Sequence, residues 1–311
     1  MNFQQLRILR ETVRHQFNLT DVASALYTSQ SGVSKHIKDL EDELGLTLFV
    51  RKGKRLVDLT EPGRELVVIA ERILLDAHNA KNLASHYVDR DEGELVIAAT
   101  HTQSRYALPR VVREFKKTYP NVRLKLHQGS PHEIAQMLQD GEADIGVATE
   151  ALAHVNELLS FKFYAWRHAV VVPHDHPLVG EPSLSFEAIA QHPIMTYHEG
   201  FTGRSVIDER FRAARCKPNV ILSALDSDVI KTYVELGLGV GIIASVAFDA
   251  NKDSGLTLLD ASHLFPQNMT RIAVRQGHFL RGFAYHFMQL CNPELNEEMI
   301  KSIKTQTVFS E

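Results

Sequence analysis

The chain has 311 residues, room for two or three compact units, and its 44% hydrophobic and 23% charged residues are ordinary for a globular protein. No apolar run approaches the roughly 20 residues that cross a bilayer, and the charged N-terminus MNFQQLRILRETVRHQ lacks the apolar core of a secretory signal, so a cytoplasmic protein with no membrane partner is expected. Net charge is −4, yet residues 1–87 hold 12 Lys+Arg against 11 Asp+Glu, so any nucleic-acid contact must come from a local patch and not from a global field.

Phe3, Leu6, Leu9, Val13 and Phe17 recur at helical spacing and predict a first helix with one apolar stripe. Asn18 or Thr20 can cap a short second helix carrying Val22, Ala23 and Leu26. Ser29, in the turn YTSQ, can cap a third that ends at Gly45. On that third helix Val33, Ile37, Leu40 and Leu44 face inward, while Gln30, Ser31, Ser34, Lys35 and Lys38 share the opposite face. A turn-helix pair of this kind suits major-groove reading, with polar side chains near the helix N-terminus on base edges and Lys heads on phosphates. A solvated face of a three-helix core is the plainer reading. LFVRKGKRLVDLT then alternates around Gly53 and predicts a hairpin whose tip carries Arg51, Lys52, Lys54 and Arg55, a phosphate clamp beside the recognition helix. Together these define a winged helix-turn-helix over residues 1–60.

Residues 61–90 read as a linker helix and hinge: Thr60 caps it, Pro62 suits its first turn, and no Gly or Pro interrupts Arg64 to Tyr87. Leu66, Ala70, Ile73, Ala77, Ala80 and Ala84 follow heptad spacing, so this helix is expected to pair with a second copy and make a dimer. The charged stretch VDRDEGE closes it.

From Glu94 onward strands alternate with helices, which predicts α/β architecture with parallel sheets. ELVIAA, VRLKLH and ADIGVAT form one round; AVVVP, PIMTY, VILSA and VGIIAS form another, giving two lobes in 91–311. Lobe I is expected over about 91–163 and 268–295, and lobe II over about 164–267, with a cleft between. Ligands of open α/β sheets sit beyond the carboxyl ends of strands, against helix N-termini. Thr100, Thr102 and Gln103 follow the first strand, Ser130 the second and Thr149 the third, while GFTGRS sets Thr202 between Gly200 and Gly203 at a helix start in the other lobe. Such neutral donors suit a small anion, a sulfate or a carboxylate. The alternative reading, with equal weight, is that they serve only as helix caps.

LYTSQSGVSKHIKDLEDELG with LFVRKGKRL and LTEPG resembles the winged helix-turn-helix of LysR-type transcriptional regulators, and the likeness extends along almost the whole chain. IAATHTQSRYALP, HQGSP, ADIGVATEAL, GFTGRS and SDVIKTYVELGLGVGIIAS are similar, more narrowly, to the branch that governs sulfur assimilation and cysteine synthesis. The resemblance implies an N-terminal winged helix-turn-helix with a long linker helix and a two-lobed effector domain of the periplasmic-binding-protein type. It further implies a homotetramer that binds double-stranded promoter DNA, contacts RNA polymerase and answers to N-acetylserine or O-acetylserine, with sulfate and thiosulfate as competing anions. No cofactor is implied. On the same basis Ser29, Gln30, Ser31, Ser34, Lys35, Lys38, Arg51, Lys52, Lys54 and Arg55 are the DNA-binding set. Thr100, Thr102, Gln103, Thr149 and Thr202 carry over as the inducer cleft, with Gln128, Gly129 and Ser130 as a neighbouring wall. Ser31 departs from the proline usual at the start of the recognition helix, and the wing is more basic than the family's, which leaves the operator open.

An enzyme is not expected. GLGVG, residues 237–241, follows a helix and enters a strand, the reverse of a dinucleotide loop, and Ile242 takes the place of the last glycine. Ser205 and Cys216 have no evident base partner, and the cleft candidates include no paired carboxylates. Cys216 and Cys291 are isolated, which suits a reducing compartment and excludes a cysteine zinc site. His174 and His176 in PHDHPL belong to a proline-flanked loop and are not taken as metal ligands.

Overall fold

The computed structural model describes residues 1–88, 91–201 and 203–300 and divides into two compact units, Met1–Ala84 and Ser85–Glu311. In the first unit, helices α1 (Phe3–Arg14), α2 (Leu19–Ala25) and α3 (Gln30–Leu44) precede a hairpin of β1 (Phe49–Lys52) and β2 (Arg55–Leu59) and the long helix α4 (Glu61–Val88). Asn18 caps α2 through its Oδ1, which accepts from Thr20 N at 3.1 Å. Ser29 caps α3 through Gly32 N, and Gly45 ends α3 in the left-handed region at φ 65°.

Of the expected stripe of α1, Leu6 and Leu9 are buried and Val13 and Phe17 pack against the head core, and only Phe3 departs from it. Phe3 is 52% exposed, whereas Ile8 is fully buried beside Leu6 and Leu9. Gln5 and Thr12 are buried beside them, Gln5 through a capping box with Asn2 and Thr12 with its hydroxyl on the Ile8 carbonyl at 2.7 Å. Phe17 lies beyond the helix at φ 66°, its ring edge-on to Phe49 at 6.4 Å. Along α4, Ala70 and Leu74 join the head core with Leu66, Val67 and Ile73 partly covered, but Ala80 and Ala84 are exposed, as are Val68, Ile69 and Leu83.

The second unit holds two five-stranded sheets. Lobe I runs β4 (Val122–Gln128), β3 (Gly93–Ala99), β5 (Ile145–Ala148), β12 (Asn268–Arg275), β6 (Leu158–Trp166). Lobe II runs β11 (Leu256–Leu259), β7 (His168–Pro173), β10 (Val240–Ala244), β8 (Pro193–Tyr197), β9 (Asn219–Ala224). The expectation of parallel sheets needs correction: β3, β4 and β5, and likewise β8, β9 and β10, are parallel. However, β12 pairs antiparallel with β5 and β6, and β7 pairs antiparallel with β10 and β11. Antiparallel strands arise because the chain passes straight from β6 into β7 through Arg167, and returns after β11 to β12, with no crossover helix at either point. The expected first crossing, after residue 163, falls inside β6. Each sheet is covered by helices: α5 (Leu108–Thr118), α6 (Pro131–Asp140) and α10 (Gly282–Cys291) in lobe I, and α7 (Phe186–Ala190), α8 (Arg204–Ala213) and α9 (Ser227–Glu235) in lobe II. The two lobes have separate apolar cores, around Phe115, Phe283 and Phe287 in the first and Tyr197, Phe211 and Phe265 in the second.

Candidate ligand cleft and nucleic-acid interface

In the head, Gln30, Ser31, Lys35 and Lys38 are exposed on one side of α3, opposite Val33, Ile37 and Leu40, and Ser34 is half-buried. Ser29 is engaged as the cap, and its hydroxyl also meets that of Ser31 at 3.1 Å. The hairpin turns at Gly53, φ 63°, with Arg51, Lys52, Lys54 and Arg55 all exposed. The four cations are not equivalent. Arg51 donates to Glu41 Oε2 at 3.0 Å, and Glu41 Oε1 accepts the Leu48 and Phe49 amides, so this pair fastens the hairpin to α3. Lys52, Lys54 and Arg55 have no carboxylate partner among the described residues. Replacing Arg51 by Gln is therefore expected to loosen the hairpin by at most about 1 kcal/mol in thermal unfolding, with little change in the salt dependence of DNA binding.

In the second unit, a π-helical turn (Gln103–Ala107) separates the end of β3 from α5. Thr100, Thr102, Gln103 and Ser104 are all buried there, with Thr102 and Gln103 each 1% exposed. Thr102 makes no cap bond, and its Oγ1, Ser104 Oγ and His101 Nδ1 are buried without a hydrogen-bond partner among the described residues. Gln103 is already engaged, since Tyr164 on β6 donates to its Oε1 at 2.5 Å.

Gln128 is exposed at the end of β4, and Gly129 N donates to the Ala99 carbonyl. Ser130 acts as a helix cap: its hydroxyl accepts from Glu133 N, and Glu133 Oε2 accepts from Ser130 N at 2.7 Å. That backbone hydrogen bond from Ser130 holds the Glu133 carboxyl below its ordinary range. A carboxylate thus occupies the N-terminus of α6, where an anion would otherwise sit. For Ser130 the capping role holds; for Thr102 and Thr149 it does not, because neither hydroxyl bonds to its helix.

A cavity of about 520 Å³ opens between the lobes. Lobe I contributes Pro131, Thr149 and Asn268; lobe II contributes the segment around Gly200, Gly203 and Ser205. Gly203 is the N-cap of α8 at φ 69° and has no side chain to close the helix start. A Cβ at this position would lie 3.0 Å from His168 Cε1 and 3.4 Å from Asn268 Oδ1, so glycine is required by backbone and space alike. Thr202, expected at this helix start, lies outside the described residues. Thr149, Gly200 and Gly203 thus line the cavity, whereas Thr100, Thr102 and Gln103, which follow β3, are buried and do not line it, and Ser130 is engaged with its own helix.

Two residues next to the start of α8 carried no clear sequence signal. His168, 1% exposed, begins β7 at the crossing, edge-on to Trp166 and Phe265, with its Nδ1 3.4 Å from Asn268 Nδ2. Arg204, although beside the cavity, turns its guanidinium to Asp208 and the Tyr197 carbonyl.

A second feature joins the lobes. From the π-helical turn, Arg105 pairs with Asp228 at 2.6 Å and Tyr106 donates its hydroxyl to Asp228 Oδ1 at 2.7 Å. Lys231 donates to Tyr106 Oη, to the Ala247 carbonyl and to both oxygens of Asp253. Burial pushes the Tyr106 phenol up. Burial alone would lower the Lys231 ammonium, but its hydrogen bonds to Asp253 and Tyr106 outweigh that and raise it. His101 and Asp226 approach Asp228 within 4.8 Å. Asp228 is already neutralised by Arg105 and Lys231, and Asp226 caps α9, so this cluster reads as part of the lobe contact and not as a cation site. A further cavity of about 510 Å³ lies in a groove lined by Arg110, Arg113, Phe163, Tyr164, Leu290 and Cys291.

Comparison with known proteins agrees with this arrangement. Residues 3–64 match the lysR-family bacterial regulatory helix-turn-helix model, and residues 89–296 match the LysR substrate binding domain. The chain is 54% identical to the HTH-type transcriptional regulator SsuR of Burkholderia cenocepacia over 308 residues, covering 99% of this chain and 100% of that protein. It is 48% identical to the regulator CysB of the same organism over 301 residues, covering 97% and 96%. Among solved structures, the cofactor-binding domain of the Cbl transcriptional regulator matches 68% of this chain and 92% of its own at 46% identity, with a TM-score of 0.66. The chain belongs to the LysR family of DNA-binding transcriptional regulators, with a helix-turn-helix head and an effector domain for a small molecule, and is not an enzyme.

Proposed function

We propose that the chain regulates genes of sulfur assimilation and cysteine synthesis by holding a small anionic inducer in the cavity between its lobes, with N-acetylserine, O-acetylserine, sulfate and thiosulfate as candidates. The relatives named CysB and Cbl support the sulfur assignment. One observation carries the site: Thr149, whose hydroxyl makes no cap bond, and the start of α8 at Gly203 line one cavity from opposite lobes. A helix N-terminus with a hydroxyl opposite it provides N–H and O–H donors without a fixed positive charge, which suits a small anion that must also leave.

The ligand shifts the balance between lobe arrangements only by binding one of them better, and the contact of Arg105 and Tyr106 with Asp228 and Lys231 is the element it must bias. In the head, Gln30, Ser31 and Ser34 read bases, while Lys35, Lys38, Lys52, Lys54 and Arg55 grip phosphates. The exposed apolar residues of α4, Val68, Ile69 and Leu83, pair with a second copy in a homotetramer that works in the cytoplasm and engages RNA polymerase at promoter DNA.

Titration of the full-length chain with sulfate, thiosulfate, N-acetylserine, O-acetylserine and benzoate tests the assignment. A sulfur-related anion or acylated serine should bind most tightly, and Thr149→Val should weaken it about tenfold, as expected for a lost hydrogen bond to a charged group. Preference for benzoate or a sulfonate would move the chain to a regulator of the same architecture that senses another anion. Unchanged affinity in Thr149→Val would remove the cleft from the account.

A further inference from the structure

Tyr27 is 98% exposed and sits at φ 51°, a left-handed conformation that disfavours a bulky side chain. Its backbone is fixed: Tyr27 N donates to the Ser24 carbonyl and Thr28 N to the Ala23 carbonyl, so the turn between α2 and α3 holds the residue in place. Nothing in the local fold calls for tyrosine. Glycine would occupy the same φ without strain, and a polar side chain would be easier to expose. The ring stands immediately before Thr28, Ser29 and Gln30, all exposed, where the helix-turn-helix passes from its turn into the recognition helix.

When the N-terminus of a recognition helix enters the major groove, the turn leading into it passes the phosphate backbone, and tyrosine hydroxyls are among the donors that bind phosphate oxygens. We infer that the Tyr27 hydroxyl donates a hydrogen bond to a DNA phosphate at the edge of the groove and sets how deeply α3 sits. This inference rests on the DNA-binding role of the head. It adds a residue that the basic wing and the polar face of α3 do not include. The contact is neutral, so it differs from a lysine contact in one measurable respect: it fixes position and affinity but releases no counterion.

Full-length wild type, Tyr27→Phe and Tyr27→Gly would be compared on two duplexes, one selected by the wild-type chain from a random pool and one scrambled at the same length. Both variants should bind both duplexes about tenfold more weakly, the loss of one hydrogen bond to a charged acceptor, with the slope of affinity against salt unchanged. Thermal unfolding of Tyr27→Gly should be unchanged or moved to higher temperature, because the left-handed strain is relieved. Wild-type affinity in Tyr27→Phe would overturn the inference, as would a loss confined to the selected duplex or a lower unfolding temperature in Tyr27→Gly. Failure of the wild-type chain to select any duplex from the random pool would instead remove the DNA reading on which the inference stands.

Discussion

Changing Lys52, Lys54 and Arg55 together to Gln is expected to weaken binding to any duplex by a factor of about a hundred or more at physiological salt, and to reduce the slope of log affinity against log salt by up to about 3. Each cation that neutralises a phosphate releases counterions, contributing roughly 0.9 to that slope. These three residues surround the hairpin tip at Gly53, exposed and without carboxylate partners among the described residues, so their charge is available to DNA. Discrimination between specific and scrambled duplexes should survive, because the proposed base reading belongs to α3. Salt-series binding measurements on both duplexes check the outcome; an unchanged slope would place the phosphate grip elsewhere.

Replacing Lys231 by Met, similar in length but uncharged, is expected to destabilise the effector unit by about 3 to 5 kcal/mol, since breaking a buried pair leaves the partner charges uncompensated. The Lys231 side chain is 8% exposed, and the substitution strands Asp253, itself 11% exposed, while Asp228 keeps Arg105 and the Tyr106 hydroxyl. The pH dependence follows from the raised ammonium. A lysine whose folded-state value lies above its unfolded one contributes fully below the ordinary lysine range and loses that contribution only as pH rises through the folded value. The unfolding-temperature gap between wild type and variant should therefore stay constant from about pH 6 to about pH 9 and narrow above it. Because Tyr106 and Arg105 come from lobe I and Lys231 from lobe II, the same change should also alter the inducer response. Loss of stability with an unchanged dose response would make the network purely structural.

Much of the head could be read in advance because its helices are amphipathic and their caps are local: Asn18, Ser29 and Gly45 act within one turn of their positions. Four of the five stripe residues of α1, Leu6, Leu9, Val13 and Phe17, join the head core as expected; only Phe3 does not, since Phe3 and Ile8 are equally apolar and the Asn2–Gln5 capping box favours Ile8. In the effector unit, the strands that form continuous apolar runs, such as β7 and β10, were visible, whereas β6 was not. Its residues LLSFKFYAW carry Lys, Ser and Tyr among the hydrophobics because β6 is an edge strand and most of it is only half-buried. Thr149 could be found because it ends a strand. Ser130 could have been set aside, since Ser130 and Glu133 form the S-x-x-E signature of a capping box. The π-helical turn at Gln103–Ala107 has no comparable signature, since one extra residue per turn leaves no periodic trace, and with it went the roles of Arg105, Tyr106, Asp228 and Lys231.

Amide hydrogen exchange of the full-length chain, with and without saturating N-acetylserine or sulfate, tests most directly whether an anion bridges the lobes. Slower exchange is expected together at residues 149–152 and 203–206, the two sides of the 520 Å³ cavity. Slowing confined to residues 107–114, 163–164 and 290–291, around the groove of Arg110 and Phe163, with no change at Thr149 or Gly203, would contradict it.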